Sequence, residues 1–283
     1  MAVPDLDQAH RFYQAFGLTV EREREHLFLR TLGSDHIWGE IVAGRRKVLL
    51  SIRFGIYERD LPVFGARFPD GVDPDRGMIS IRAPDGLAIE LVVALKSAPD
   101  AKPPFALAHP FAADRGAGPR TRVARVQPRR LAHVALFTPN VQNAIEFYGA
   151  SLGLRLSDRS GNEVAFMHGP HGSDHHLIAL AHSSHPGLHH NSWDVATLAE
   201  VGQGAMQMAE AGYRQGWGLG RHVLGSNFFF YVRDPWNSYA EYSGDMDYIP
   251  AGAIWQSGDH PVQDSFYQWG PTPPVDFTRN YEI

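Results

Sequence analysis

Apolar residues recur with a helical period in two places that resemble one another. Residues 4–18 read PDLDQAHRFYQAFGL and residues 139–154 read PNVQNAIEFYGASLGL. Both open on proline, carry a Phe-Tyr pair (Phe12-Tyr13, Phe147-Tyr148) and stop at Gly-Leu. The pattern predicts an amphipathic helix in each, closed by Gly17 and Gly153, because glycine accepts the left-handed conformation that ends a helix. A further helix fits Leu198–Ala211 before Gly212. Short β-type runs lie at Leu27–Thr31, Lys47–Phe54 and Met78–Arg82, and again at Glu163–His168, Leu177–Ala181, His189–Val195 and Asn227–Val232. The ends of the two patterns also agree. Pro84 precedes Glu90 of LAIEL by six positions, as Pro235 precedes Glu241 of YAEYS, and each marks a turn followed by an apolar strand with one acid in it.

A degraded internal repeat of helices and strands predicts the α+β class, built as two modules. The boundaries are 1–96 for an N-terminal module, 97–130 for a Pro-, Ala-, Gly- and Arg-rich linker, 131–248 for a second module, and 249–283 for an aromatic tail that covers a site or forms a subunit contact. The strand LAHVALF, 131–137, precedes the helix only in the second half, so the first strand of the N-terminal module is expected to be missing.

Composition narrows the chemistry. A net charge of −5 over 283 residues leaves no basic surplus for a phosphate backbone, which argues against nucleic acid. No apolar run approaches the roughly 20 residues that span a bilayer, so a cytoplasmic protein with no membrane partner is expected. The absence of cysteine excludes disulfides, thiolate metal sites and thiol nucleophiles. Fifteen histidines are the anomaly, and histidine is the commonest metal ligand and acid–base group. His10, His26, His36 and His109 fall in the first half, while eight crowd into 168–190, HGPHGSDHHLIALAHSSHPGLHH. The four-residue spacings His171/His175 and His185/His189 are decoys, because Gly172 in one and Pro186-Gly187 in the other break any helix.

An open metal site of the two-histidine, one-carboxylate kind needs its ligands on strands that the fold holds still. His133 lies within LAHVALF, His190 follows Leu188-His189 immediately before NSWDV, and Glu241 sits among Tyr239, Ala240 and Tyr242, where an acid requires a partner or a metal. Each, taken alone, also reads as a hydrogen-bonded core residue.

The second half resembles the catalytic module of the type I extradiol ring-cleavage dioxygenases, within the vicinal oxygen chelate superfamily. The resemblance runs in ordered pieces: LAHVALFTPNVQNAIEFYGASLGLRLSD, FMHGPHGSDHHLIAL, LHH and LGRHVLGSNFFFYVRDPWNSYAEYSGD, over roughly 131–248. It implies two vicinal oxygen chelate modules of paired βαβββ units, with mixed β-sheets curled around a metal pocket. It further implies that His133, His190 and Glu241 hold Fe(2+), with Mn(2+) able to satisfy the same ligands, and that His176 is the acid–base residue. His222 and Tyr231 match groups that face the substrate, and His189 a positioning residue. The implied partners are a catecholic substrate and O2, both of whose atoms enter the ring, and a homo-oligomer is expected. Three departures stand out: Ala135 where some members place a polar side chain, Trp217 where certain relatives use an arginine for a substrate carboxylate, and Glu90 with no histidine opposite it. A glyoxalase-like or fosfomycin-resistance-type metalloenzyme of the same superfamily stays open as an alternative, as does a non-enzymatic bleomycin-type binding protein.

Overall fold

The computed structural model describes residues 1–107, 113 and 115–282, so part of the expected linker (108–112 and 114), His109 and the last residue lie outside it. One five-element pattern occurs four times. The first unit is β1 (Ala2–Val3), α1 (Leu6–Phe16), β2 (Thr19–Glu23), β3 (His26–Arg30) and β4 (Gly39–Ala43). The second is β5 (Ser51–Ile56), α2 (Leu61–Arg67), β6 (Val72–Asp73), β7 (Met78–Arg82) and β8 (Ala88–Val93). The third is β9 (Arg130–Thr138), α3 (Val141–Leu152), β10 (Arg155–Ser160), β11 (Val164–His168) and β13 (Ile178–His182), with the two-residue β12 (Ser173–Asp174) inserted. The fourth is β14 (Gly187–Asp194), α4 (Leu198–Glu210), β15 (Gly216–His222), β16 (Phe228–Arg233) and β17 (Tyr239–Gly244). In every unit the first strand runs parallel to the last, across the helical crossover. This is the mixed α+β architecture the repeat implies.

The expected loss of the first strand is corrected: Ala2–Val3 pair with Val42–Ala43, so that strand is short rather than missing. Its shortness has a structural effect. In the second half, the nine-residue β9 pairs antiparallel with β14 and fuses two units into one sheet. In the first half β1 reaches the segment before β5 only through an isolated bridge, Ala2 to Val48, and the two four-stranded sheets stay separate.

The helices form where their sequences allow one apolar face and clean ends. Leu6, Ala9, Phe12, Tyr13 and Phe16 recur at helical spacing and are buried. Asp5 caps α1 by accepting from the Gln8 N–H at 2.8 Å, and Asn140 caps α3 through the Asn143 N–H at 2.9 Å. Gly17 closes α1 at φ 104°, and an added Cβ there would lie 2.1 Å from the Val126 carbonyl oxygen, so the position tolerates only glycine.

The helices lie between the halves. Helix α1 packs on α4 and on β16 and β17, with Phe16 stacked on Tyr242 at 3.9 Å. Helix α3 joins the inner faces of β7 and β8 to β11 and β13. A buried ion pair, Lys47 Nζ to Glu282 Oε1 at 2.8 Å, ties the first half to the end of the chain, and Glu282 also accepts from the Leu49 and Leu188 N–H groups.

The tail adds β18 (Tyr248–Ile249), β19 (Gly258–Asp259) and β20 (Tyr267–Trp269). Strand β19 lies outermost at one edge of the ten-stranded sheet, beside β10, and β20 outermost at the other, beside β15. Laid flat, ten strands would span about 43 Å. Residues 260–266 between β19 and β20 reach at most about 27 Å. The sheet therefore curls. Alternation assigns the faces: Val134, Leu136, Ala240, Tyr242, Phe228 and Val232 turn toward the helices, leaving the intervening side chains for the concavity.

Phe16→Ala removes the ring that joins the halves and should destabilise the chain by about 3–5 kcal/mol. Urea unfolding reads this directly, and a loss below about 1 kcal/mol would show that the α1–β17 contact does not hold the halves together.

Candidate metal centre

Four neighbouring strands set side chains in one row. Tyr231 on β16 lies opposite Glu241 on β17, Glu241 opposite Ser192 on β14, and Ser192 opposite His133 on β9. Directly opposed residues share a face, so the row points into the concavity. His190, two residues before Ser192, shares that face as well. Trp217 on β15 continues the row beyond Tyr231.

Three donors converge there. His133 Nε2 and His190 Nε2 are 2.9 Å apart, and Glu241 Oε2 lies 3.3 Å from the first and 3.5 Å from the second. Among the described residues they form the one group of acidic or histidine side chains close enough to share an ion. All three are buried, and Glu241 is 0% exposed. Its Oε1 accepts from Asn227 Nδ2 at 3.2 Å, but Oε2 has no hydrogen-bond partner. Leaving a buried carboxylate oxygen unsatisfied is costly. A divalent cation satisfies it, and separations this short let one ion contact each donor at about 2.0–2.2 Å. Two imidazoles and one carboxylate are the donor set of open ferrous and manganous sites.

The electrostatics agree. Burial opposes ionisation of Glu241, yet the adjacent His133 and His222 rings outweigh it and hold the carboxyl below its usual range. Burial, reinforced by His189, His133 and His222, pushes His190 well below the usual imidazole range, so its ring is neutral and ready to ligate.

The remaining candidates surround the three donors. The His176 ring lies 4.2 Å from that of His133, and burial with four neighbouring histidines holds it well below the imidazole range. Tyr231 donates its hydroxyl proton to His222 Nε2 at 2.9 Å, while His222 Nδ1 donates to the Phe266 carbonyl at 2.8 Å. Burial and the Glu241 charge raise the Tyr231 phenol well above its usual value, so it stays protonated. His189 Nδ1 meets His190 Nδ1 at 2.7 Å, and burial lowers His189 to about 4 although its ring bonds the Phe277 carbonyl. Trp217 fills its place in an aromatic wall with Phe229, Tyr231, Phe266 and Phe277.

Sequence reasoning passed over other residues here. Asn227 supports Glu241, and Asp158, His175 and His260 form a chain leading away from His176. Only His175, adjacent to His176, carried a local signal. The decoy spacings are not helical: His171 and His175 flank a turn and β12, and His185 lies in a bend before β14. His182 and His185 are exposed.

The first half shows what the row becomes without a metal. Glu90 on β8 stands opposite Arg53 on β5, where Glu241 has Ser192, and opposite Ser80, where Glu241 has Tyr231. Arg53 Nη2 bonds Glu90 Oε2 at 2.7 Å, so this carboxylate already has its cation. A cleft of about 690 Å³ opens between the two N-terminal sheets and β9. Its lining includes His133 but neither His190 nor Glu241.

Two outcomes follow from this geometry. His133→Ala or Glu241→Ala should lower metal content, read by elemental analysis after dialysis, by more than about tenfold, since even groups behind a ligand carry about 10–100-fold in affinity. His168, bonded to Ser157 Oγ at 2.7 Å, is lowered by burial from 6.5 to about 4. A folded-state value below the unfolded one gives stability that is complete above pH 6.5 and is lost as pH falls toward 4. The stability gap between the wild type and His168→Gln should therefore narrow from pH 7 to pH 5; a constant gap would contradict the neutral, buried ring.

Comparison with known proteins agrees with this geometry. The Glyoxalase/Bleomycin resistance protein/Dioxygenase superfamily matches residues 130–242, which hold all three donors. Metapyrocatechase 2 of Cupriavidus necator is 50% identical over 292 aligned positions, covering 100% of this chain and 90% of that protein. Two solved structures share the fold. The Mn(II)-bound glyoxalase of Novosphingobium aromaticivorans superposes with a TM-score of 0.76 at 23% identity, over 96% of this chain and 90% of that one. The 2,2′,3-trihydroxybiphenyl 1,2-dioxygenase of Sphingomonas wittichii gives 0.71 at 18% identity, over 95% and 94%. With half its residues shared end to end with metapyrocatechase 2, and with the three donors gathered on one curled sheet, the chain belongs to the metapyrocatechase family of extradiol ring-cleavage dioxygenases.

Proposed function

We propose that this chain opens a catechol-type ring beside its two hydroxyls, inserting both atoms of O2, with Fe(II) held by His133, His190 and Glu241 and with His176 as the acid–base residue. The observation that carries the reading is the orphaned Oε2 of Glu241, fully buried between two histidine nitrogens. When bound, a ferrous ion supplies neighbouring open positions for the two substrate oxygens and O2, and an electron path between them. Two neutral imidazoles and one carboxylate leave about one positive charge at the site, which a singly deprotonated catechol offsets.

The protein's own groups handle protons and orientation. His176 is neutral before reaction, and its Nδ1 is engaged by His175, so Nε2 is the nitrogen available to take a substrate proton and to return it when the O–O bond breaks. Tyr231 commits its one hydroxyl proton to His222, so its oxygen holds a substrate hydroxyl by accepting a hydrogen bond from it. Trp217, Phe229, Phe266 and Phe277 make that wall aromatic, and the tail contributes two of the four. A wall of this kind suits an aromatic substrate without an acidic side chain. The glyoxalase-like and binding-protein alternatives leave the His176 and His222–Tyr231 groups around one centre without a use.

Anaerobically iron-loaded protein should give a yellow ring-fission product with at least one member of a series running from catechol through alkylcatechols to 2,3-dihydroxybiphenyl. No product from any member would end the dioxygenase reading. Parallel loading with manganese, with metal content measured beside activity, distinguishes the two ions. His176→Phe should retain metal and substrate binding but slow turnover by about two orders of magnitude, the scale of positioned proton transfer.

A further inference from the structure

We propose that Asp158 and His175 are positioning residues that fix which ring nitrogen of His176 carries the proton. The inference rests on the acid–base reading of His176 and adds to it the device that prepares the base. Asp158, on β10, is 6% exposed and His175 is 0% exposed. The Asp158 carboxylate takes three hydrogen bonds: from the Gly258 N–H at 2.8 Å and His260 Nε2 at 2.9 Å on Oδ1, and from His175 Nε2 at 2.9 Å on Oδ2. Burial resists its ionisation, but these donors prevail and hold it down at about 2. At the other end of the His175 ring, Nδ1 lies 3.1 Å from Nδ1 of His176.

The proton positions follow from donor and acceptor inventory. An ionised carboxylate only accepts, so His175 donates from Nε2. A neutral imidazole that donates from one nitrogen accepts at the other. The proton in the 3.1 Å contact therefore belongs to His176 Nδ1, and the lone pair of His176 is left on Nε2. The opposite tautomer of His176 would set two lone pairs against each other and place a proton on the nitrogen that has to receive one.

The His175 ring cannot turn easily. Its backbone is held at both polar groups, the amide N–H donating to the Asp247 carbonyl at 2.6 Å and the carbonyl accepting from Ser157 Oγ at 2.5 Å, and Trp255 closes on the ring at 5.5 Å. The tail holds the outer end through Gly258 and His260. Neither Asp158 nor His175 is a member of the three-donor group or of the substrate-facing set, so the pair acts only through His176.

Asp158→Asn separates this role from packing. The amide oxygen keeps the Gly258 and His260 contacts, and the amide NH2 faces His175 Nε2, which must then accept. The proton order reverses along the pair, and His176 ends with its proton on Nε2. The same exchange at the buried aspartate of a serine protease triad lowers kcat by about 10⁴ through the wrong tautomer. For the iron-loaded full chain, kcat should fall by about 10²–10⁴ while KM and metal content change little, on the scale of a lost proton-transfer step. Long-range ¹⁵N–¹H correlation spectra of the zinc-loaded, diamagnetic full chain provide a readout independent of turnover. The His176 ring, identified by its loss in His176→Phe, should be the Nδ1–H tautomer in the wild type and the Nε2–H tautomer in Asp158→Asn.

If Asp158→Asn does not fold, His175→Phe decides: the acceptor for Nδ1–H is gone, kcat falls, and the Nδ1–H population of His176 drops. An Nε2–H tautomer in the wild type, or an unchanged tautomer and kcat in the folded variants, overturns the proposal. If His176→Phe itself turns over at the wild-type rate, it is the acid–base reading that fails. Slow His176→Phe beside normal Asp158→Asn and His175→Phe sinks the positioning proposal alone.

Discussion

A carboxylate with no access to water has to be compensated inside the fold, and Glu241 imposes that demand on the middle of a central strand. The arrangement around it answers the demand from both sides. Asn227 satisfies one oxygen, and His133 and His190 converge beside the other without bonding it, so that a cation completes the set. The register of β9, β14, β17 and β16 makes this possible, because a slip of one residue in any of them would turn its contribution out to the helices. The helices in turn earn their place between the halves by covering the apolar side of that same register. In the N-terminal half the demand at Glu90 is met by Arg53, a charge of fixed sign and position, and no opening for a ligand remains.

A second layer of the site is built from histidines in tandem. His175–His176 and His189–His190 each touch through their Nδ1 atoms, and in each the leading ring is bonded to an oxygen acceptor, Asp158 or the Phe277 carbonyl. His222 is bonded in the same manner to the Phe266 carbonyl. An oxygen acceptor fixes the proton on the near nitrogen and leaves a lone pair on the far one. The rings of His190, His176 and Tyr231 thus each meet a histidine oriented by one chemical device used three times, and the tail supplies the acceptor in two of them and braces it in the third.

What the sequence made legible followed from contrast. His133 and Glu241 stood out because each is a polar residue in an apolar strand, and the paired helices were readable because caps and glycines bound a clean period. Strand β10, RLSDRS, had no such contrast: Ser157, Asp158 and Ser160 are buried as hydrogen-bonding groups, so no apolar pattern marked a strand there. Strand β15, GWGLGRH, was hidden by its glycines. They are there because neighbours crowd it: a Cβ at Gly216 would meet the Tyr231 carbonyl oxygen at 2.0 Å, and one at Gly220 the Phe229 ring at 2.4 Å. The predicted strand at 47–54 begins instead at Ser51, because Lys47 turns inward to its ion pair with Glu282. Asp158 and His260 are 102 positions apart, and no local pattern joins them.

The tail's two outer strands carry a further consequence. A curled sheet still has two borders, and each border exposes unpaired backbone donors and acceptors that a passing chain can adopt as a template. Here one segment sits on both borders, and it does so with strands of two and three residues, too short to extend the ladder any further. The same stretch that supplies carbonyls to the His189 and His222 rings thus also lies along both borders of the sheet. In this chain, resistance to self-adhesion and the readiness of the histidines reside in one terminal segment, and neither can be altered there without touching the other.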